Sequence, residues 1–356
     1  MLKRTVICLT SAMFVFIGAA LNSVAAAPSP VARLPIEIID NRTHIQLQGP
    51  HGPVTLLLDT GATTSIFFDR SLVPDQALTG DEAQVNFPAI GHSVVGKRLG
   101  SVAFSGDEGE LISSNGLLVV GEDEVEQALD ANFHGIIGQE LFRRYVVEID
   151  PQQGVMTLYP AGTDLEDDFE IEHRLLMQGH TPYIHFKSKM PWEKRTTVKN
   201  MLLDSGYPGG MVFWNRKHFM QVTSKTERTR LTANNMGVLT AANVDFGELY
   251  FENMPIFIAS DVPKQSEDRD GLIGASILAQ YRHVIDFQGE RLLLSPVVDE
   301  EGEPVQIIDG AIYTPNNEDF LVKFFGPKLP IYPSFTIYNV KTRPGASHHL
   351  GQSDHN

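Results

Sequence analysis

Two triplets in the chain combine an aspartate, a hydroxyl-bearing residue and a glycine, each directly after an apolar run. They are Asp59-Thr60-Gly61, which follows three leucines, and Asp204-Ser205-Gly206, which follows Met-Leu-Leu. A carboxylate at the end of a buried strand is costly unless it has a partner. Two such strands in one chain indicate that each carboxylate is the partner of the other. Paired carboxylates can act as general acid and general base toward a bound water.

An internal repeat organises the chain around these triplets. Residues 135–160 align with residues 271–296 without a gap, and each of these segments follows one triplet. The repeat predicts two lobes, at residues 33–160 and 171–297, joined by an acidic stretch. Short strand patterns dominate and helical periodicity is scarce, so the predicted fold class is all-β.

The triplets and the segments that follow them resemble the aspartic protease superfamily. In that family each aspartate strand threads a psi-shaped loop, which is closed by a strand of two apolar residues and a glycine. The matching residues here are Ile136-Ile137-Gly138 and Leu272-Ile273-Gly274. The resemblance covers both predicted lobes. It implies an all-β fold of two homologous lobes related by a pseudo-twofold axis, of the acid protease double-psi type.

The resemblance also implies roles for the residues of the triplets. Asp59 and Asp204 would lie so close that both cannot ionise, and they would share one proton. The ionised member would take a proton from water, while the protonated member would donate one to the scissile carbonyl oxygen. The hydroxyls of Thr60 and Ser205 would cross-bond beneath the pair. The glycine of each triplet would allow a tight turn and a close approach to the other loop.

The implied activity is that of an aspartic endopeptidase that hydrolyses peptide or protein substrates with neither a metal ion nor an organic cofactor. One alternative is that each aspartate only caps a turn. Another is a catalytically inactive, protease-like protein that keeps the fold and uses its cleft to bind peptides. Cleavage of a protein substrate, blocked by a transition-state mimic, would distinguish these readings. Because both halves of the site are on one chain, we expect a monomer.

Members of the family cover the cleft with a glycine-rich hairpin, the flap. The first-lobe candidate spans residues 86–99 with Gly91 and Gly96, and the second-lobe equivalent spans residues 234–245 with Gly237. The alternative for either segment is an ordinary surface hairpin.

Two positions depart from the pepsin-like pattern. Pepsin-like enzymes carry Ser or Thr after each triplet, and this hydroxyl lowers the pKa of the pair by bonding a carboxylate. Ala62 takes the first of these positions, as in retroviral-type proteases, and Tyr207 takes the second. The phenol of Tyr207, at the end of a stiff ring, is not expected to reach back to its own loop. The sequence therefore looks like an exported bacterial, retropepsin-like protease fused as two lobes, with a mildly acidic to near-neutral working pH.

The composition and the N-terminus set the remaining expectations. The chain has 356 residues and a net charge of −16, which argues against nucleic acid and anionic membranes as partners. A basic start, an apolar stretch over residues 6–20 and small residues up to Ala26 are typical of a cleaved signal peptide at residues 1–26. The alternative is an uncleaved membrane anchor. We therefore expect a periplasmic or secreted protein without stable membrane association.

Residues 298–356 have no counterpart in the first lobe, and we interpret them as a partly disordered C-terminal extension. Its histidines, among them His348 and His349, are not accompanied by the carboxylate or thiol ligands of a metal site. We therefore favour a flexible tail over a metal site. The single cysteine, Cys8, lies inside the predicted signal peptide, so disulfides and thiolate chemistry are not expected in the mature protein.

Overall fold

The structure is a computed structural model that describes most of the two predicted lobes. The described residues are 28–87, 92–106, 109–114, 116–118, 133–190, 193–215, 219, 228–230, 236–246, 249–259, 269–298, 306–308, 311–313 and 340–342. The predicted signal peptide and most of the predicted C-terminal extension, including its histidines, lie outside this set.

The first half of the described chain is built almost entirely of strands, and the first of them alternates buried and exposed residues as a half-buried strand does. Its strands are β1 (Ala32–Ile39), β2 (Arg42–Gly49), β3 (Gly52–Leu58), β4 (Ile66–Phe67), β5 (Leu78–Phe87), β6 (His92–Leu99), β7 (Val102–Gly106), β8 (Gly109–Ser114), β9 (Leu117–Leu118), β10 (Gly135–Ile137), β11 (Tyr145–Asp150) and β12 (Val155–Pro160). Two 3₁₀ turns, Arg70–Leu72 and Asp75–Ala77, follow β4, and the helix α1 (Gln139–Arg144) follows β10.

The second half repeats this order after a 3₁₀ turn at Glu166–Asp168. Its strands are β13 (Ile171–Gln178), β14 (Thr181–Lys189), β15 (Thr197–Asp204), β16 (Met211–Trp214), β17 (Arg228–Arg230), β18 (Met236–Phe246), β19 (Leu249–Ala259), β20 (Gly271–Gly274), β21 (Tyr281–Asp286) and β22 (Arg291–Pro296). The short helix α2 (Ala275–Leu278) follows β20 as α1 follows β10. The extension contributes a hairpin of β23 (Gln306–Ile308) and β24 (Ala311–Tyr313), and β25 (Val340–Thr342), which pairs with β19.

A six-stranded antiparallel sheet joins the two halves, in the order β1-β12-β11-β21-β22-β13. Its two central strands, β11 and β21, meet with Val147 opposite Ile285 and Ile149 opposite His283. Strands that correspond in the repeat therefore occupy equivalent positions on either side of the centre. This is the arrangement that a pseudo-twofold axis between the lobes requires.

Each half also contains a psi-shaped loop. Strand β10 lies between β3, to which it is parallel, and β4, to which it is antiparallel. In the second half, β20 lies in the same way between β15 and β16. The strand that ends at each aspartate is thus held beside the strand of two apolar residues and a glycine. The fold is all-β, with two homologous lobes of the acid protease double-psi type, as predicted.

One apolar core extends through both lobes. Among its largest fully buried side chains are Phe67, Phe104 and Phe142. Phe142 of the first lobe stacks on Phe287 of the second, with ring centroids 5.2 Å apart. This shared packing fixes the distance between the lobes, and hence the distance between the two aspartate loops. In the described part of the chain, neither helix has the length or apolar character needed to span a membrane.

Candidate active site

The two aspartates lie where the lobes meet, at the ends of β3 and β15. We call residues 59–65 the first aspartate loop and residues 204–210 the second. The amide of Asp59 donates a 2.9 Å hydrogen bond to the carbonyl of Ile137 in the neighbouring strand β10. On the other side, Asp204 is paired with Gly274 of β20. The psi-loop strands therefore position both aspartates.

Four buried hydrogen bonds cross between the two loops. The Thr60 amide donates to Ser205 Oγ at 3.0 Å, and the Ser205 amide donates to Thr60 Oγ1 at 3.0 Å. Each hydroxyl then donates to the backbone carbonyl that precedes the opposite aspartate: Thr60 Oγ1 to Leu203 at 2.7 Å and Ser205 Oγ to Leu58 at 2.9 Å. Both hydroxyls are thus satisfied, and the loops are fixed symmetrically beneath the carboxylates.

Backbone amides bind each carboxylate in the same pattern. Asp59 Oδ1 accepts hydrogen bonds from Gly61 at 2.7 Å and Ala62 at 3.2 Å. Asp204 Oδ1 accepts from the amides two and three residues further on, at 3.2 and 3.1 Å. Neither oxygen receives a hydroxyl hydrogen bond from its own loop. The donors that depress the pKa of pepsin-like pairs are therefore absent from these positions, as the sequence predicts.

Each carboxyl group lies so close to the opposite aspartate loop that only glycine fits beside it. A Cβ atom at Gly206 would lie 2.4 Å from the carboxyl carbon of Asp59, and a Cβ atom at Gly61 would lie 2.9 Å from that of Asp204. Real Cβ contacts are longer than either distance. The glycine of each triplet is thus required by the opposite aspartate.

The environment raises the pKa of both members of the pair. Burial raises the pKa of Asp59, while hydrogen bonds from backbone amides act against this rise. Burial raises the pKa of Asp204 well above its ordinary value, and the charge of Asp59 raises this pKa further. Neighbouring carboxyl groups whose pKa values are raised in this way titrate as a pair, so that one proton is shared between them over a range of pH.

A polar network supports the first aspartate loop from below. The Glu140 carboxylate accepts hydrogen bonds from the Thr64 hydroxyl at 2.9 Å, the Ser65 amide at 2.9 Å and the Ser65 hydroxyl at 3.1 Å. The neighbouring Gln139 donates a 2.9 Å hydrogen bond to the carbonyl of Thr60. These two residues are not among those that the sequence predicts to be functional. Their position directly after the glycine that closes the first psi loop could have indicated a role in supporting that loop.

An aromatic ring takes the place of this network in the second loop. The Tyr207 ring lies over Gly209 and Gly274, where an added Cβ would come within 2.6 Å of ring carbons. The ring thus does fold back onto its own loop, contrary to prediction, because the glycines leave room for it. Within the described residues its hydroxyl makes no hydrogen bond to Asp204. Burial raises the pKa of the Tyr207 phenol, and the charge of Asp204 adds to this rise.

In addition to the cross-bonds between the loops, a hydrogen bond from the turn between β1 and β2 supports the second loop from the opposite lobe. The side-chain amide of Asn41 donates to the carbonyl of Pro208 at 3.0 Å. Asn41 is only 2% exposed and has a φ of 65° in the tight turn between β1 and β2, where Asp40 has a φ of 50°. Asparagine tolerates this left-handed conformation better than most residues. An Asp-Asn pair between two alternating strands indicates such a turn, but not its distant partner.

Two apolar clusters flank the carboxylates, one on each lobe. The lobe-one cluster consists of Leu57, Ile66, Phe68, Val85, Val94, Phe133 and Ile136, with Ala62 packed against it. The lobe-two cluster consists of Val212, Phe257 and Ala259, with Tyr207, Trp214 and Leu272 packed against it. The clusters are equivalent, because the strand partners Ile66 and Ile136 of the first correspond to Val212 and Leu272 of the second.

The candidate flap segments are placed as follows. Strands β5 and β6 form a hairpin whose residues 88–91, including Gly91, lie outside the described residues. Gly96 lies within β6, opposite Ala83. Gly237 lies within β18, between Thr229 of β17 and Ala259 of β19. The first hairpin reaches the site, because Val85 and Val94 belong to the lobe-one cluster. Its role as a flap stays a prediction.

Within the described part of the chain, no group of three or more His, Cys, Asp or Glu side chains is placed to hold a metal ion.

Comparisons with known proteins add little to this geometry. No family model matches the chain, and no characterised protein matches its sequence. Among solved structures, the chain is similar to basic 7S globulin from soybean, with a TM-score of 0.48 and 11% sequence identity over 74% of this chain and 94% of that one. A likeness at this level carries no inference about activity.

Proposed function

We propose that the protein is an aspartic-type endopeptidase, in which Asp59 and Asp204 together activate a water molecule for attack on a peptide bond. The observation that supports this most strongly is the pair itself. The two carboxyl groups lie beside cross-bonded loops, burial raises the pKa of both, and each remains partly exposed to solvent. A carboxylate pair that served only to hold the lobes together would gain nothing from such access.

The proposed reaction needs one ionised and one protonated carboxyl group, and we assign these roles to Asp59 and Asp204. Asp59 takes a proton from a water molecule, whose oxygen forms a bond to the carbonyl carbon of the substrate. Asp204 gives its proton to the carbonyl oxygen, which produces a neutral tetrahedral diol. As the carbon–nitrogen bond breaks, Asp59 gives the proton that it took up to the amide nitrogen, and one diol hydroxyl returns a proton to Asp204. A carboxylic acid and an amine leave, and the pair again carries one proton.

The cross-bonded loops would serve this reaction by fixing the carboxyl groups before the substrate binds. Preorganised groups need no rearrangement in the transition state, which is where much of an enzyme's rate advantage arises. The finer assignment, to an exported bacterial protease of retropepsin-like type, is also part of the proposal. It depends on Ala62 after the first triplet and on the signal-like pattern of residues 1–26.

The test is hydrolysis of an unstructured protein by wild type, Asp59→Asn and Asp204→Asn. Each single substitution should reduce turnover by about 10³-fold or more, and the double variant should be no worse than either, because the pair acts as a unit. Asp167→Asn, at an exposed aspartate remote from the pair in sequence, is the matched control and should keep full activity. Tight peptide binding by wild type without cleavage would support the alternative of an inactive peptide-binding protein.

A further inference from the structure

The side chain of Gln139 is hydrogen-bonded to the peptide group that binds Asp59. Its amide nitrogen donates a 2.9 Å hydrogen bond to the carbonyl of Thr60. Because a carbonyl oxygen can only accept, the nitrogen of the side chain is the atom that faces it. The same peptide group carries the N–H of Gly61, which donates to Asp59 Oδ1 at 2.7 Å. A chain of two hydrogen bonds therefore runs from Gln139 through this peptide to the Asp59 carboxylate.

The second lobe repeats the backbone contact of Gln139 but not its side chain. The repeat places Ala275 at the equivalent position. The main-chain amide of Gln139 donates to the carbonyl of Ala62 at 2.9 Å, and that of Ala275 donates to the carbonyl of Tyr207 at 2.8 Å. The two backbones are thus docked on their aspartate loops in the same way. The methyl group of Ala275, however, can donate no hydrogen bond to the peptide above it.

The amide bonds to the two carboxylates differ as this contrast predicts. The amides of Ala62 and Tyr207 bind at nearly equal distances, 3.2 and 3.1 Å. The amides of the triplet glycines do not, since the bond to Asp59 is 2.7 Å and the bond to Asp204 is 3.2 Å. The shorter bond comes from the peptide that accepts from Gln139. A hydrogen bond to a peptide carbonyl polarises the peptide and strengthens the bond that its N–H donates.

Gln139 is an unfavourable residue for a purely structural role. Its side chain is fully buried, and its side-chain oxygen has no hydrogen-bond partner among the described residues. A buried acceptor without a partner lowers stability. A methionine side chain has the same length and no such acceptor. The position therefore loses stability for the sake of one directed donor, which is a pattern that functional residues often show.

We propose that Gln139 is a positioning residue that makes Asp59, and not Asp204, the base of the pair. It acts through the Thr60–Gly61 peptide, whose polarised N–H stabilises the negative charge of Asp59. This inference rests on the peptidase function proposed above and gives a physical reason for the roles assigned there. Burial raises the pKa of Asp59, and the hydrogen bond from Gly61 acts against this rise.

The consequence is an effect on one limb of the pH profile. Without the Gln139 donor, ionised Asp59 is less stable, so the first ionisation of the pair requires a higher pH. Asp59 is charged before and after the second ionisation, that of Asp204, so the effect of the donor cancels there. The other titratable groups beside the two loops are Glu140 on α1 and the Tyr207 phenol, whose pKa burial raises. Both stay in place in the variants below.

The test compares Gln139→Met with Gln280→Met in the pH dependence of kcat/KM for a cleaved peptide. Gln139→Met keeps the length of the side chain and removes the donor. Its acidic limb should move up by about half a pH unit, a loss of about threefold on that limb, while the alkaline limb stays in place. Gln280 is the matched control, because its buried side-chain amide also donates a 2.9 Å hydrogen bond to a backbone carbonyl, that of Ser276 outside both aspartate loops. Gln280→Met should lose stability without moving either limb.

Titration of the pair by NMR, with carbon-13 in the aspartate carboxyl groups, tests the inference apart from catalysis. The first titration step should move to higher pH in folded Gln139→Met, and Gln139→Leu serves if thermal unfolding shows that the methionine variant does not fold. This shift in a protein that cleaves no peptide would contradict the peptidase function and leave the effect of Gln139 on Asp59 supported. A first step and an acidic limb at the wild-type pH in the folded variant, or an equal shift in Gln280→Met, would overturn the proposal.

Discussion

The two aspartate loops share the hydrogen bonds nearest the carboxylates and differ in everything beneath them. The four cross-bonds and the amide donors are matched pair by pair across the pseudo-twofold axis. Below that layer, the first loop is supported by the Glu140 network within its own lobe. The second is supported by an aromatic ring over glycines and by Asn41 from the other lobe. The hydrogen bonds nearest the carboxylates are the same in both loops, while the contacts that support each loop differ between the lobes.

The shared layer has an electrostatic counterpart. Burial raises the pKa of both carboxyl groups, and the charge of Asp59 raises that of Asp204 further. Two neighbouring carboxyl groups with raised pKa values titrate as a pair. The layer that both loops share can therefore hold one acid and one base side by side, which general acid–base catalysis requires.

The largest expected effect comes from the layer that both loops share. Gly206→Ala would place a methyl group within 2.4 Å of the Asp59 carboxyl carbon, which the cross-bonded loops cannot accommodate without separating the pair. We expect activity to fall by about 10³-fold or more, comparable to loss of an aspartate. The matched control is Gly100→Ala, because a Cβ atom there meets nothing closer than 3.5 Å. Near-normal peptide hydrolysis by Gly206→Ala would show that the loops are not held as described.

A smaller effect should distinguish the residues that support the first loop from those at the equivalent positions of the second. Glu140→Ala would leave three hydrogen-bond donors of Thr64 and Ser65 without their acceptor, at a cost of about 2 kcal/mol in the free energy of unfolding. Ser276 occupies the equivalent position in the second lobe, and its buried hydroxyl has no hydrogen-bond partner among the described residues. Ser276→Ala should therefore be neutral or slightly stabilising in urea unfolding. Equal losses in the two variants would contradict the difference between the loops.

The smallest effect concerns the hydrogen bond from Asn41 of the first lobe to Pro208 of the second. Asn41→Gly keeps the left-handed turn accessible and removes the buried side chain whose amide donates to Pro208, which should cost about 1 kcal/mol of stability or more. Because the second loop carries Asp204, kcat should fall more than KM rises. Glycine substitution at the equivalent turn in the second lobe offers no control, since Gly179 is already there. Asn41→Asp, which keeps the size but puts a buried carboxyl group against the Pro208 carbonyl, should lose at least as much as the glycine variant. Full activity in both variants would exclude a positioning role.

The sequence predicts the hydrogen-bonded layer that the two aspartate loops share, but not the residues that support each loop. Each triplet, each psi-loop segment and each copy of the repeat is a pattern of less than about 30 residues, so each can be recognised from neighbouring residues. The bond from Asn41 to Pro208 joins residues 167 positions apart, so no local pattern encodes it. The position of the Tyr207 ring depends on two glycines, one of them in a strand far along the chain. Side-chain size alone therefore gave the wrong expectation for that ring.

Acid stability sets the conditions for the decisive measurement. Burial lowers the pKa of His44 to about 4, with the charge of Arg42 acting in the same direction, and burial also lowers the pKa of His283 to about 4. Unfolded histidines take up a proton near pH 6.5, while these two stay neutral in the folded chain until about pH 4. Their contribution to folding is complete above pH 6.5 and is lost as the pH falls toward 4. Circular dichroism must therefore accompany any assay in that range.

The measurement that tests the central claim most directly is the pH dependence of kcat/KM for a cleaved peptide. A buried pair whose pKa values are raised, and which receives no hydroxyl donors from its own loops, should keep its single proton into mildly acidic and near-neutral conditions. We predict a bell-shaped profile with its maximum at roughly pH 5–7. A maximum below about pH 4 in folded protein, or a profile that lacks the alkaline limb, would contradict a pair that shares one proton.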